Sequence, residues 1–319
     1  MIVEVQHETC LDYSDAVTES LAEFRMEPSS DDYQSLRSFK LTVSPTTEVF
    51  HYQDGFGNRV HHFNVLSACK QLRVVAASVV ETHPPDARLA ASQAKFPLDL
   101  SSLEISGYSY LSLRGPVRPT PLLDSLLERL RPHEGCRAGE YVIGIADYIV
   151  SNFEYARDVT LASSPIDDLL SQGKGVCQDF THLMLAILRS YGIPARYASG
   201  YIHRPNQESQ SHAWCEVWLP DVGWCGIDPT NRTEINDHFI KVAVGRDFND
   251  VSPNKGVYHG RAEEGILVRV ETRALERLPT ISWQEKLPPF HVPLTPIVRH
   301  RQNPYAMFDD HSQQQQQQQ

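Results

Sequence analysis

A glycine-rich turn that runs directly into a strongly amphipathic helix most limits what this chain can fold into. In Gly173-Lys174-Gly175-Val176-Cys177 the glycines permit a sharp reversal and the close approach of another backbone. Beyond it Phe180, Leu183, Met184, Ile187, Leu188 and Tyr191 share one stripe at helical spacing, and Gly192 with Pro194 ends the helix. So wide an apolar stripe has to be covered by a second layer, so the helix belongs to a packed core. Its first turn carries Cys177. Unpaired N–H groups and the positive dipole end favour thiolate there, and the same N–H groups can hold an oxyanion. Taken alone, such a cysteine also reads as a small buried apolar residue.

A thiolate nucleophile needs a base, and the chain has 14 histidines. His182 follows Cys177 by five positions and so points roughly 140° away around the helix, out of reach of the sulfur. Asp179 is turned further still and reads as a first-turn carboxylate or structural acceptor. His212 opens the strand-like Ser211-His212-Ala213-Trp214-Cys215-Glu216-Val217-Trp218, and a turn at Pro220-Asp221-Val222-Gly223 leads to Trp224-Cys225-Gly226-Ile227-Asp228-Pro229. Alternation puts His212, Trp214 and Glu216 on one face and Ala213, Cys215 and Val217 on the other. If this hairpin brings Asp228 to His212, the carboxylate orients the imidazole and leaves its other nitrogen for the thiolate. Singly, the histidine reads as a structural residue and Asp-Pro-Thr as a turn; the combination points to chemistry. Cys215 and Cys225 lack the short knuckle of a zinc site, and Cys10, Cys69 and Cys136 have no activating setting.

Around this centre the chain divides by composition. Phe39–Val43, Glu48–Tyr52, Arg59–Val65 and Leu72–Val80 are strand-like, and Asp54-Gly55-Phe56-Gly57-Asn58 supplies a tight reversal, so residues 1–85 read as a mostly β domain. Prolines crowd residues 86–120, which suits a surface linker. Helical spacing returns in Leu122–Leu130 and Tyr141–Ile149, Ser164-Pro165-Ile166-Asp167 reads as an N-cap serine and first-turn proline opening a short helix, and Arg196–Ile202, Ala213–Leu219, Trp224–Ile227 and Ile266–Thr272 read as strands. Residues 121–275 thus form an α+β core. Residues 276–319 are a Pro-rich extension ending in Gln313 to Gln319, which cannot build a core.

A 41% apolar and 22% charged composition is that of a soluble globular protein, and a formal net charge of −11 disfavours nucleic acid or an anionic membrane as partner. Scattered cysteines and the lack of an export-like leader point to a reducing cytoplasm. No calcium loop or phosphate-cradling loop is present, so no cofactor and no metal is expected.

The strings GVCQDFTHLMLAILRSYGIPARYASGY, SHAWCEVWLPDVGWCGIDPTN and VGRDFNDVSPNKGVYHG resemble the bacterial transglutaminase-like proteins, a group often described as cysteine proteases. The early region with DGFGN is similar to the N-terminal domain that precedes their core. The resemblance implies a papain-like core in which a helix-borne cysteine packs on an antiparallel sheet bearing histidine and aspartate, roles that fall on Cys177, His212 and Asp228. It also covers Asp247 and Asp250, for which the sequence offers only a turn or loop role. A protein or peptide amide is the implied substrate, cleaved through a thioester acyl-enzyme; transfer to an amine and a non-catalytic peptide-binding module are the alternatives. The backbone N–H of Cys177 is one expected oxyanion donor, and Asn152 and Trp214 are candidates for the second.

Overall fold

The computed structural model describes residues 1–83, 88–157, 159–160, 164–205 and 210–279; the glutamine tail and most of the Pro-rich extension lie outside them. The first sheet is built on one long strand. β1 (Ile2–Phe24) is followed by β2 (Gln34–Ser44), β3 (Phe50–Gln53), β4 (Arg59–Val65) and β5 (Cys69–Thr82), in the order β2-β5-β1-β4-β3. A helical middle follows: α1 (Arg88–Ala91), two 3-10 turns (Ile105–Leu111 and Gly115–Val117), α2 (Pro121–Arg129) and α3 (Ala138–Asn152). Then come β6 (Glu154–Tyr155), α4 (Ile166–Gln172), β7 (Lys174–Gly175) and α5 (Cys177–Ser190). The second sheet holds β8 (Ala195–Ile202), β9 (Gln210–Leu219), β10 (Gly223–Asp228), β11 (Thr233–Glu234) and β12 (Phe239–Gly245). The chain closes with α6 (Phe248–Val251), β13 (Asn254–His259) and β14 (Glu264–Leu275).

The second sheet is antiparallel throughout, in the order β11-β10-β9-β8-β12. Its β9 presents Ala213, Cys215 and Val217 to the same apolar core as α5, whereas Trp214 packs on the opposite face with Ala198, Ile202 and Phe239. This is the alternation expected of a strand buried on both faces.

Three segments differ from the reading of the sequence. β13 and β14, placed there at the end of the α+β core, pair instead with β1, from Phe24↔Asn254 and from Ile2↔Leu275 respectively. A strand flanked on both sides, as β1 is, has no free hydrogen-bonding edge. The Pro-rich stretch after residue 86 is more than a surface linker, because Leu89, Phe96 and Val117 are buried in the core around α5. Ser164 precedes a helix whose N-cap is Pro165, with no side-chain cap bond, so the expected serine cap is one residue too early.

The N-terminal sheet seals the open edge of β12. The Gln34 amide donates to Lys241 O (2.7 Å) and accepts from Lys241 N (2.7 Å). Asn58 does the same for Val244, at 2.8 Å in both directions. Asn58 is the last residue of the DGFGN reversal, where Gly57 takes φ +86 and Asp54 accepts from Phe56 N and Asn58 N. The turn thus positions a side chain that imitates a neighbouring strand.

Beneath this contact lies a buried ionic group. Glu216, 2% exposed, accepts from Arg196 (2.6 Å) and from Lys241 Nζ (2.7 Å), and Lys241 also reaches Asp31 (2.6 Å). Burial opposes ionisation of Glu216, but Lys241 and Arg196 outweigh it and hold its pKa at about 2. The stability contributed by this depressed carboxylate is present above pH 4.5 and is lost as the pH falls toward 2. Replacing Glu216 by Gln strands buried cations and is expected to cost about 3–5 kcal/mol of unfolding free energy. Urea unfolding at neutral pH checks this, and a variant as stable as wild type would refute it.

Candidate active site

Cys177 is the first residue of α5, so its N–H is among those with no carbonyl acceptor within the helix. The turn before it is fixed from three sides. Gly173 ends α4 in the left-handed conformation (φ +71), and the Glu154 and Ala156 N–H groups donate to the Gly173 and Gly175 carbonyls at 2.8 and 2.9 Å. Asp179 accepts from Val176 N (2.8 Å) and from the Thr160 hydroxyl (2.6 Å), the reciprocal half of a helix cap. Its burial pushes the carboxyl up to about 6, against those two hydrogen bonds. A Cβ on Gly175 would lie 2.8 Å from Asp179 Oδ2 and 2.9 Å from its Cβ, so glycine is required there by close approach.

His212 stands two residues into β9 and Asp228 is the last residue of β10. Nε2 of His212 meets Oδ2 of Asp228 at 2.8 Å, and Asp228 is fully buried. The imidazole is also within electrostatic reach of the Cys177 sulfur. With Nε2 engaged by the carboxylate, Nδ1 is the nitrogen left for the sulfur. Burial alone would lower the histidine's pKa, but the charges of Asp228 and then of the Cys177 sulfur, with the hydrogen bond to Asp228, raise it to about 10. An imidazolium against Sγ is the counter-charge that a thiolate nucleophile requires. Asp228 stays below the usual carboxylate range although burial opposes its charge, owing to His212, Asn231 and the Thr230 N–H.

The three residues singled out in the sequence are therefore in one place. His182 is not; it is buried and neutral, its pKa lowered to about 3 by burial and then Arg189, and its Nε2 accepts from Phe248 N (3.2 Å). Asp247 is the N-cap of α6, accepting from Asn249 N, and Asp250 forms an ion pair with Arg246 at 2.9 Å. Asn152 is exposed and donates to Tyr148 O at the end of its own helix. Trp214 is wholly buried beside His212, ring centroids 6.5 Å apart, with no acceptor for its indole N–H among the described residues. Cys215 and Cys225 are buried in the core around α5.

Sequence reasoning passed over Asn231, whose Nδ2 donates to Asp228 Oδ2 at 2.6 Å, and Thr230, whose N–H donates to Oδ1 at 2.8 Å. The signal was present in Asp228-Pro229-Thr230-Asn231, since an aspartate accepting from N–H groups two and three residues on is an Asx-type turn. The turn reading and the orienting reading of Asp228 are thus compatible. Also passed over was Tyr155, whose ring lies edge-on to Phe180 at 6.3 Å and whose hydroxyl is within electrostatic reach of the Cys177 sulfur.

Comparisons with known proteins match this geometry to two family models. Residues 128–229 match the transglutaminase-like superfamily core, and residues 3–81 match the bacterial transglutaminase-like N-terminal region. An uncharacterized protein of Mycobacterium leprae is 34% identical over 86% of this chain and 99% of its own length. A Pseudomonas aeruginosa protein-glutamine gamma-glutamyltransferase is 25% identical over 46% of this chain, which spans 24% of that protein. A Cytophaga hutchinsonii crystal structure described as a "putative cysteine protease" superposes with a TM-score of 0.70 at 22% identity, covering 89% of this chain and 95% of that one; the likeness is one of fold.

Two measurements probe the site directly. Asp228→Asn removes the main charge holding His212 protonated, and an NMR titration is expected to show its pKa falling by more than about one unit. The raised pKa also means that His212 stabilises the fold fully below pH 6.5 and progressively less as the pH rises toward 10, a slope that the variant should lack. Gly175→Ala forces the Asp179 side chain away and is expected to lose about 1–3 kcal/mol in denaturant unfolding; an unchanged midpoint would show that the turn has room to spare.

Proposed function

The chain belongs to the transglutaminase-like superfamily, and from that premise we propose that it is a cysteine-dependent hydrolase of amide or peptide bonds acting through a thioester acyl-enzyme. The observation that carries this reading is the 2.8 Å bond between His212 Nε2 and Asp228 Oδ2, with the sulfur of a cysteine at a helix start within electrostatic reach of the same imidazole. In the first half-reaction Sγ of Cys177 adds to the amide carbonyl carbon, and the oxyanion forms near the Cys177 N–H. The His212 imidazolium gives its proton to the leaving amine as the C–N bond breaks. The thioester remains. The neutral imidazole then takes a proton from water, the hydroxide adds to the thioester carbon, and the C–S bond breaks to release acid and restore the thiolate–imidazolium pair. Throughout, Asp228 holds the ring in register and offsets its positive charge.

A second reading, transfer of the acyl group to an amine, is favoured by the name of the Pseudomonas relative. The two differ only in which nucleophile reaches the thioester, a matter of groove access rather than of the three residues. A non-catalytic peptide-binding role is disfavoured by the bond between His212 and Asp228 together with a cysteine at the start of α5. The substrate class under either enzymatic reading is a protein or peptide amide. All six cysteines are free, which supports a reducing compartment such as the cytoplasm. Among the described residues no helix is long and apolar enough to cross a membrane.

The test is intact-mass analysis of a protein and peptide mixture incubated with wild type or Cys177→Ala, with and without a primary-amine probe. Cleavage or deamidation by wild type alone, without amine incorporation, is the expected result. Amine incorporation that requires Cys177 would replace hydrolysis by transamidation, and activity surviving in Cys177→Ala or in His212→Ala would sink the mechanism.

A further inference from the structure

We propose that Trp214, with Phe239 beside it, is the positioning residue for His212: the two rings fix the plane of the imidazole and so the direction in which its second nitrogen points. This rests on the reading of His212 as the base and goes beyond it to the groups that aim that base.

One hydrogen bond cannot fix a ring. The imidazole is tethered through Cβ to β9 and at Nε2 by the 2.8 Å bond to Asp228. Both tethers lie close to one line through the ring, which stays free to rock about that line, and rocking swings Nδ1 away from any partner. Reacting groups have to be held within about 10–20° of their working orientation. A restraint on the ring plane is therefore needed. Aromatic neighbours supply one, because ring pairs favour offset or edge-on arrangements at centroid separations of about 4.5–7 Å.

The residues around His212 meet that need. Trp214 lies two positions further along β9, on the same side of the strand, and its ring is inclined by only 22° to the imidazole with centroids 6.5 Å apart. Phe239 of β12 stands at 6.3 Å and 58° to the imidazole, and Trp214 meets Phe239 edge-on at 5.4 Å. The three rings close a triangle. Between β9 and β12 runs β8, where Gly200 pairs with His212. A Cβ on Gly200 would lie 2.8 Å from Trp214 Cη2 and would collide with the Ile240 carbonyl oxygen, so the missing side chain is what lets the indole lie across β8. The placement also carries a cost. The indole N–H is fully buried without an acceptor among the described residues, an unpaired donor that phenylalanine or leucine would not bring. What tryptophan adds in exchange is the broadest flat face of any side chain, set nearly parallel to the base, with a negative face that attracts an imidazolium.

The experiment measures the rate of Cys177 alkylation by iodoacetamide against pH in the full chain, with circular dichroism and urea unfolding to identify folded variants. In the reaction the thiolate Sγ displaces iodide and a thioether forms. His212→Ala defines the profile of the sulfur without its partner. Trp214→Leu is expected to move the wild-type profile toward that of His212→Ala, with a loss of roughly tenfold at neutral pH, and Phe239→Leu to move it the same way by roughly two- to threefold. Trp214→Phe keeps an aromatic face and is expected to stay within about threefold of wild type. Ile202→Ala opens a cavity in the same apolar cluster without removing a ring, and its profile is expected to match wild type. A wild-type profile in folded Trp214→Leu overturns the proposal, and so does an equal shift in Ile202→Ala, which assigns the effect to packing in general. If Trp214→Leu does not fold, Phe239→Leu carries the test, and an unmoved profile there overturns the proposal. A wild-type profile identical to that of His212→Ala is a different failure: it defeats the reading of His212 as the base, and this inference with it.

Discussion

Burial of α5 on every side is the constraint that the rest of the structure answers to. From Cys177 to Arg189 no residue of the helix is exposed, although the sequence shows apolar side chains on one stripe only. Each polar side chain on the other faces must therefore find a partner inside the protein, because an unpaired buried polar group costs free energy comparable to a lost hydrogen bond. Asp179 takes the Val176 N–H and the Thr160 hydroxyl, Thr181 donates to the Cys177 carbonyl, and His182 accepts from Phe248 N. Arg189 reaches the carbonyls of Ala195, Ser112 and Arg246. These bonds draw distant segments onto the helix, including the 3-10 region and the Arg246–Asp250 loop.

The same demand explains why Cys177 is held so firmly. A helix that cannot shift without breaking buried bonds presents its first residue, Cys177, at a fixed point. The second sheet is equally restrained. Its α5 face is apolar, its other face carries Glu216 with two buried cations, and its β12 edge is closed by Gln34 and Asn58 from the N-terminal sheet. The strands that carry His212 and Asp228 are thus held from both faces and from one edge. Order at the site is a property of both sheets, since the N-terminal region supplies Asp31, Gln34 and Asn58.

Much of this was legible in the residues. The turn into α5, its end at Gly192, and the strands bearing His212 and Asp228 follow from spacing and turn chemistry, because those signals act within a few residues of one another. The geometric exclusion of His182 follows from helix pitch alone. Less legible were β1 and β12. β1 mixes Glu4, Gln6, Glu8 and Asp12 among its apolar residues and owes its length to strands on both sides, two of them from the far end of the chain. Residues 88–117 look like linker because prolines dominate locally, and only packing reveals that Leu89, Phe96 and Val117 are core.

Chain-local chemistry by itself determined that a cysteine begins a strong helix, that a histidine and an aspartate lie on neighbouring strands, and that Asp-Gly-Phe-Gly-Asn is a reversal. Backbone sterics and side-chain periodicity set those features without reference to distant residues. Tertiary structure decided what each is bonded to: that Asn231 shares Asp228 with His212, and that Asn58 closes an edge nearly two hundred positions away in sequence. Hydrogen bonds and charges act over a few ångströms of space, and distance along the chain does not report distance through it.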